Sequence, residues 1–499
     1  MDFIANLALG FSLAASPENL LLCMVGVMVG TMVGVLPGIG PVASIAILLP
    51  VTFGLPPVGA LIMLAGIYYG AQYGGSTTSI LVNIPGEASS VVTTLDGFQM
   101  AQQGRAGPAL AIAAIGSFIA GTAGTLLVAL LGEPLTNVAL MFGAPEFFSL
   151  MLVGLILAIV LASGSVLKAI AMIFVGLLLS TIGADLQTGV PRLSFGLMEL
   201  SEGVSFVVIA MGMFGIAEVL RNIQSPEQRG IVRGKVSNLM PTREDLRQSA
   251  GAIGRGTVIG SILGVLPGGG AVMSSFAAYT FEKRISRDPS RFGKGAIEGV
   301  AAPESANNAA AQTAFIPLLT LGIPGNAVMA LFLGAMTMQG IVPGPQVMMI
   351  QPGLVWAVIV SMWIGNVMLV ILNLPLIGIW VSMLRVPYRL LFPAILIFCC
   401  IGAYAVNNSS LDTILMGLFG LIGYWLIRHD FEPAPLILAL VLGPLLEENL
   451  RRAVIISNGD PTIFLTRPLS AVLLVVAVLL LAVSILPSIR KRRQQVFAE

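Results

Sequence analysis

The apolar and polar positions of this chain follow no single period. Long runs of Leu, Val, Ile, Met, Phe and Ala are punctuated by Gly, Pro and short polar clusters. A bilayer-spanning helix needs about 20 mostly apolar residues. Runs near 109–132, 148–183, 203–220, 353–376, 390–427 and 468–487 approach or exceed that length, and 148–183 and 390–427 each have room for two helices. Five other runs, at 42–53, 76–84, 256–266, 271–281 and 312–323, are too short or too interrupted to cross alone. The pattern predicts an all-α polytopic membrane protein of about a dozen helices, several of them half-length or re-entrant.

Composition sharpens that picture. Of 499 residues, 56% are hydrophobic and 10% charged, with a mean hydropathy of +0.95. A soluble domain carries about 25% charge, so this chain lacks the charge to cover a water-facing surface. A net charge of +1 leaves no basic footprint for nucleic acid. Cys23, Cys399 and Cys400 cannot build a disulfide framework. The 57 glycines and 30 prolines are many for uninterrupted spanning helices and predict broken ones.

The charges also have a direction. The first basic residue is Arg105, so the leading apolar segment lacks the positive n-region of a signal peptide and is expected to stay as a helix. Twelve of the 25 Lys and Arg fall between Arg221 and Lys294, and Arg490–Arg493 form a basic tail. The positive-inside rule places the 221–250 connection and the C-terminus in the cytoplasm.

An internal repeat marks the centre. Residues 26–40, GVMVGTMVGVLPGIG, align with 256–270, GTVIGSILGVLPGGG, at an offset of 256 − 26 = 230. In the same order, Asn83-Ile84-Pro85-Gly86-Glu87-Ala88 matches Gly322-Ile323-Pro324-Gly325-Asn326-Ala327, at 322 − 83 = 239. Charge bias reverses between matched loops. Gly54–Pro57 is uncharged where its counterpart 282–294 is basic, whereas 96–107 carries Arg105 and its counterpart 340–352 has no charge. Such reversal is expected of inverted-topology repeats. The predicted organisation is a first repeat at 1–220 with breaks at 37–40 and 85–86, and a basic connection at 221–250. A second repeat follows at 251–450 with breaks at 267–270 and 324–325, then a C-terminal helix and tail at 451–499.

Chemistry gathers at the breaks. Glycine at every fourth position before each Pro-Gly-x-Gly makes a smooth helix face, for which tight packing alone is a sufficient reading. The Pro-Gly pieces free backbone groups at membrane depth, which is tolerated only inside protein or along a watery cavity. Gly38, Gly40, Gly86, Gly268, Gly269, Gly270 and Gly325 are therefore candidate backbone contacts for a substrate, since half-helix N-termini favour a carboxylate. Ser76, Thr77, Asn83, Ser274, Asn307, Asn308 and Asn326 are candidate side-chain contacts. For any one hydroxyl, ordinary interhelical bonding is the competing reading. Glu304, with Ser305 and Thr320, is the candidate for a coupling ion: it can hold Na⁺, carry a proton, or merely orient neighbouring donors. Glu87 has the same options.

Other chemistries lack their residues. Gly234-Lys235 and Gly293-Lys294 are not followed by Ser or Thr, so no phosphate-binding loop of the Gly-Lys-Ser/Thr type exists. His429 is the single histidine, which excludes His-Glu-x2-His zinc chemistry. No catalytic constellation and no cofactor other than a coupling Na⁺ is expected.

Gly34-Val35-Leu36-Pro37-Gly38-Ile39-Gly40-Pro41, Asp96-Gly97 with Gly104, and Ala302-Pro303-Glu304-Ser305-Ala306-Asn307-Asn308-Ala309 resemble the TctA-type large membrane subunit of tripartite tricarboxylate transporters. The likeness continues through Ile316–Ala327 and spans most of the chain. It implies a bacterial inner-membrane secondary transporter importing small di- or tricarboxylates, driven by a Na⁺ or H⁺ gradient. It further implies a small membrane subunit (TctB-type) and a periplasmic substrate-binding protein (TctC-type) as partners. An elevator mechanism fits the duplicated broken helices. A stand-alone organic-anion carrier or exporter is the alternative, followed by an ion channel.

Overall fold

A computed structural model of the chain describes residues 3–36, 40–139, 141–161, 165–185, 188–201, 203–224, 239–266, 270–383 and 388–485. The first helices are α1 Phe3–Ala14, α2 Pro17–Val35, α3 Gly40–Leu48, α4 Pro57–Val82, α5 Val91–Gln102, α6 Ala106–Ala139, α7 Ala144–Leu161 and α8 Val166–Ser180. A small antiparallel hairpin pairs β1 Gly183–Ala184 with β2 Pro191–Arg192. Next, α9 Phe206–Ala210 passes through a π-turn at Met211–Ile216 into α10 Ala217–Gln224. The second half brings α11 Arg243–Val265, α12 Gly270–Ile285, α13 Glu298–Thr313, α14 Phe315–Leu321, α15 Ala327–Met338, α16 Pro345–Ile350, α17 Pro352–Asn373 and α18 Ile377–Met383. It closes with α19 Tyr388–Asn407, α20 Ser410–Arg428, α21 Ala434–Ile456, α22 Ile463–Thr466 and α23 Pro468–Ile485.

The molecule is an all-α polytopic membrane protein. Among the described residues, α2, residues 106–138 of α6, α17 and α20 are long and apolar enough to cross a bilayer. Two other helices are enclosed by protein. Every residue of α4 from Gly59 to Val82 is buried, and so is every residue of α13 from Gly299 to Thr313.

This enclosure explains two of the interrupted runs. The runs 76–84 and 256–266, read as too short or too interrupted to cross alone, end longer helices, α4 of 26 residues and α11 of 23, neither of which is among those apolar enough to cross a bilayer. At 1.5 Å per residue, α4 is about 39 Å long. Polar side chains shorten an apolar run in sequence, but they are tolerated where protein rather than hydrocarbon surrounds them. α11 is two-faced: Val258 and Ile262 are exposed, while Gly256, Gly260 and Gly264 are buried.

The duplicated glycines explain the core. A Cβ added at Gly26, Gly30 or Gly34 would lie 2.3, 2.4 or 2.3 Å from the carbonyl oxygens of Met63, Ile67 and Ala71 in α4. Added at Gly256, Gly260 or Gly264, it would lie 2.4, 2.2 or 2.6 Å from those of Ala302, Ala306 and Ala310 in α13. The carbonyls correspond at one offset, since 302 − 63, 306 − 67 and 310 − 71 all equal 239. In both halves a helix can approach this closely only because the glycine has no side chain.

The breaks match as well. Gly40 and Gly270 restart their chains at φ +60° and +46°. Asn83 and Gly322 close α4 and α14 in the left-handed conformation, at φ 61° and 70°. Glu87 and Asn326 then take the same extended N-cap conformation, φ −148° and −158°. The tips at 37–39 and 267–269, which include Gly38, Gly268 and Gly269, lie outside the described residues, as do most of the basic connection and the tail.

Contacts at the ends sort the loops. Gln103 donates to Lys294 O at 2.9 Å and Arg105 pairs with Asp245, which joins the 96–105 segment to the charged loops of the second half. Gln339 instead donates to Thr52 O at 2.8 Å, joining two uncharged loops.

Candidate functional site

Three helices bring their polar groups to Glu304. It is fully buried in the middle of α13, not at a break as the sequence suggested. Pro303 is accommodated within the helix rather than ending it. From α4, Ser76 Oγ donates to Glu304 Oε2 at 2.5 Å. Asn307, one turn along α13, donates to the same oxygen at 3.2 Å. From α5, Thr93 donates its hydroxyl to Oε1. A buried carboxylate is retained only when its oxygens are met in this way.

The next turn extends the network. Positions i, i+3 and i+4 share a helix face, which is why Glu304, Asn307 and Asn308 act together. The Asn308 amide nitrogen lies 2.8 Å from Ser117 Oγ on α6, 3.0 Å from Glu304 O and 2.7 Å from Asn307 Oδ1. Ser117 in turn donates to Glu304 O at 3.4 Å. Tyr73 of α4 donates to Asn366 Oδ1 of α17 at 2.7 Å, and Asn366 donates to Phe118 O at 2.9 Å. The result is a polar core linking α4, α5, α6, α13 and α17.

A second buried carboxylate stands nearby. Glu87 caps the short turn before α5, and its own oxygen receives the Ser89 hydroxyl, which also lies 2.7 Å from Gln72 Oε1. Gly75 makes room: a Cβ there would sit 2.7 Å from Glu87 Cγ. Gly86 is equally tight, with Gly34 O only 2.0 Å from where its Cβ would be.

The remaining predicted residues fall into two groups. Thr77 lines a small crevice with Tyr73, Ser76, Ser117 and Asn373, next to Glu304. Asn326 caps α15 by accepting from Met329 N–H at 2.9 Å. Others serve their own elements. Ser274 donates to Gly270 O, Ser305 to Ala301 O and Thr320 to Ile316 O. Asn83 is an exposed C-cap, and Gly325 is buried between α14 and α15.

Sequence reasoning missed Thr93, Ser117 and Asn373. Ser117 and Asn373 each sit in or at the end of an apolar run, and a lone polar residue in such a run is itself a signal. It also gave no role to Asp96. That buried carboxylate accepts the backbone N–H groups of Gly293, Gly295 and Ala296 at 2.9, 2.8 and 2.8 Å, and the Tyr279 hydroxyl at 2.9 Å. It fastens α5 to the turn between α12 and α13.

Residues 20–438 match the sequence profile described as "Tripartite tricarboxylate transporter TctA family". The chain belongs to that family. The TctA profile ends before α22 and α23, and covers the whole Glu304 network. Relatives extend the likeness. An "Uncharacterized 52.8 kDa protein in TAR-I ttuC' 3'region" of Agrobacterium vitis is 60% identical over 499 residues, covering 100% of this chain and 99% of that protein. An "Uncharacterized protein in TAR-II ttuC' 3'region" from the same organism is 62% identical over 240 residues, 48% of this chain and 99% of that protein. No solved structure matches the chain. As a TctA-family member, the protein is a membrane component of a tripartite tricarboxylate transporter.

Proposed function

We propose that the chain is the large transmembrane subunit of a binding-protein-dependent secondary transporter that imports small di- or tricarboxylates, driven by a Na⁺ or H⁺ gradient. The observation that carries this reading is Glu304: a carboxylate at the centre of the bundle, met by side chains from α4, α5 and α13. An ionisable group at that depth marks an ion or substrate path by default. Family membership supports the partners, a TctB-type small membrane subunit and a TctC-type periplasmic binding protein. The protein would then sit in the bacterial inner membrane with its C-terminus in the cytoplasm and carry out transport rather than catalysis.

The two halves are read as inverted repeats. The basic 282–294 loop meets the 96–105 segment, while the uncharged loop containing Thr52 meets Gln339, and both pairings suit inversion. An elevator motion would carry α2–α5 and α11–α14, locked together by Asp96, past α17 and the later helices. Cysteines introduced at 282–294 and beside Arg105 should be labelled only from the cytoplasm, and at 54–57 only from the periplasm; labelling of all three from one side refutes the inversion.

Function is tested by reconstituting the chain with a small subunit and binding protein in liposomes. Saturable carboxylate uptake that needs both a cation gradient and the binding protein is expected. Uptake without the binding protein would favour a stand-alone carrier, and a gradient-independent conductance would favour a channel.

A further inference from the structure

The crevice beside Glu304 lies between α4, α6 and the last residue of α17, with Tyr73, Ser76, Thr77, Ser117 and Asn373 as its polar wall. Where the hydrogens point decides what it can accept. Tyr73 gives its hydroxyl hydrogen to Asn366 at 2.7 Å, Ser76 to Glu304 Oε2 at 2.5 Å and Ser117 to Glu304 O at 3.4 Å. The Asn373 amide nitrogen donates to Leu369 O at 3.0 Å, which fixes the orientation of that amide. What these four groups leave for the crevice is chiefly lone pairs, beside the Thr77 hydroxyl, which can donate or accept.

Asn373 makes the point most directly. The residue is 4% exposed, and its Oδ1 finds no donor among the described residues. A buried acceptor without a donor is unfavourable, so such an atom in a native core calls for a ligand. An anion would meet oxygen lone pairs and the Glu304 carboxylate, and none of the lining residues is basic. A hard cation takes oxygen ligands of this kind. Size agrees: the crevice has room for little more than one water-sized body, too small for an organic anion. Of the two buried carboxylates only Glu304 bonds residues of the crevice wall, and it already holds three donors, which suits a monovalent rather than a divalent charge.

We propose that this crevice binds a monovalent cation of the Na⁺ class through Thr77, Ser76 and Asn373 Oδ1, with Glu304 balancing its charge. The inference rests on the reading above that transport is ion-coupled. It moves the coupling site away from Ser305 and Thr320, neither of which lines the crevice. It also places a ligand on α17, outside the duplicated hairpins, so the cation would bridge the two parts of the molecule.

The test is ²²Na⁺ binding to the purified full-length chain by equilibrium dialysis, with no carboxylate and no partner present. Saturable binding is expected, at least tenfold weaker in Asn373→Ala and Thr77→Val and retained in Asn373→Asp, which keeps the shape and adds charge. Gel filtration checks that each variant is folded, and the Asn373→Asp and Thr77→Val results decide the matter if Asn373→Ala is not. No saturable Na⁺ binding in the wild type, or wild-type binding in Thr77→Val and Asn373→Ala, overturns the proposal. Na⁺ binding lost in these variants without any carboxylate uptake in the reconstituted system would leave the crevice standing and sink the transport reading. Carboxylate uptake whose Na⁺ response is unaltered in the variants would do the reverse.

Discussion

α4 and α13 are one element built twice, and they carry different chemistry. Each is fully enclosed, and each receives three glycines of a partner helix on its carbonyls; a left-handed residue and an extended cap follow α4 directly and follow α13 only after α14. Yet the counterpart of Glu304 is Ala65, and those of Asn307 and Asn308 are Tyr68 and Tyr69, each at 239 residues' distance. α4 contributes its hydroxyls further along, at Ser76 and Thr77. The helices also end differently. Pro317 lacks the N–H that would continue the helix, and α13 stops at Thr313 just before it, whereas α4 runs on through the matching Thr78 to Val82. Close backbone packing constrains both halves alike, while one carboxylate in the middle is enough for a site. Duplication supplied the frame, and later divergence supplied the contents.

The comparison can be broken most sharply at Glu304. Glu304→Gln keeps the shape and removes the charge, and loss of a charge-assisted hydrogen bond of about 1.5–3 kcal/mol corresponds to roughly 10- to 100-fold. Reconstituted uptake should fall by at least that factor while membrane insertion stays normal. Glu87→Asn, which installs the second half's capping residue in the first, should reduce uptake less, because both side chains can cap. Equal losses in the two variants would mean that the halves share the chemistry evenly.

Packing provides the symmetric control. Gly30→Ala and Gly260→Ala each drive a methyl into a backbone carbonyl, at 2.4 and 2.2 Å. Each should destabilise the protein by about 1–3 kcal/mol, read as a lower midpoint of thermal unfolding in detergent. A large loss in one half only would show that one hairpin is merely peripheral.

Smaller effects sharpen the picture. Asp96→Asn replaces one charged acceptor of the clamp between α5 and the α12–α13 turn, for an expected cost near 2 kcal/mol and visibly faster proteolysis of the 282–297 segment. Asn326→Ala removes the cap of α15 and should cost about 1 kcal/mol, with Asn326→Asp restoring it. An unchanged unfolding midpoint in Asn326→Ala would show that the cap contributes nothing to stability.

Much of this was legible before the fold. The glycine spacing and the two offset matches located the paired helices, because close approach demands glycine in a way few other constraints do. Glu304, Asn307, Asn308 and Ser76 were found for the same reason, being scarce polar groups in an apolar chain. Thr93, Ser117 and Asn373 were not, because each is a single polar residue whose significance depends on what faces it. The length of the helix that ends at 76–84 was not legible, because an apolar-run rule describes helices in lipid, not helices wrapped in protein.

The sequence by itself determined the membrane class, the duplication and the charge bias of the loops, since these follow from composition and from spacing along one chain. Only the tertiary structure decided that Glu304 sits within a continuous helix, that Thr93 and Ser76 meet it, and that Asn373, with a buried oxygen lacking a donor among the described residues, lines the crevice beside them. Those facts join residues as far apart as Ser76 and Asn373, and no local pattern encodes which polar groups will be enclosed together.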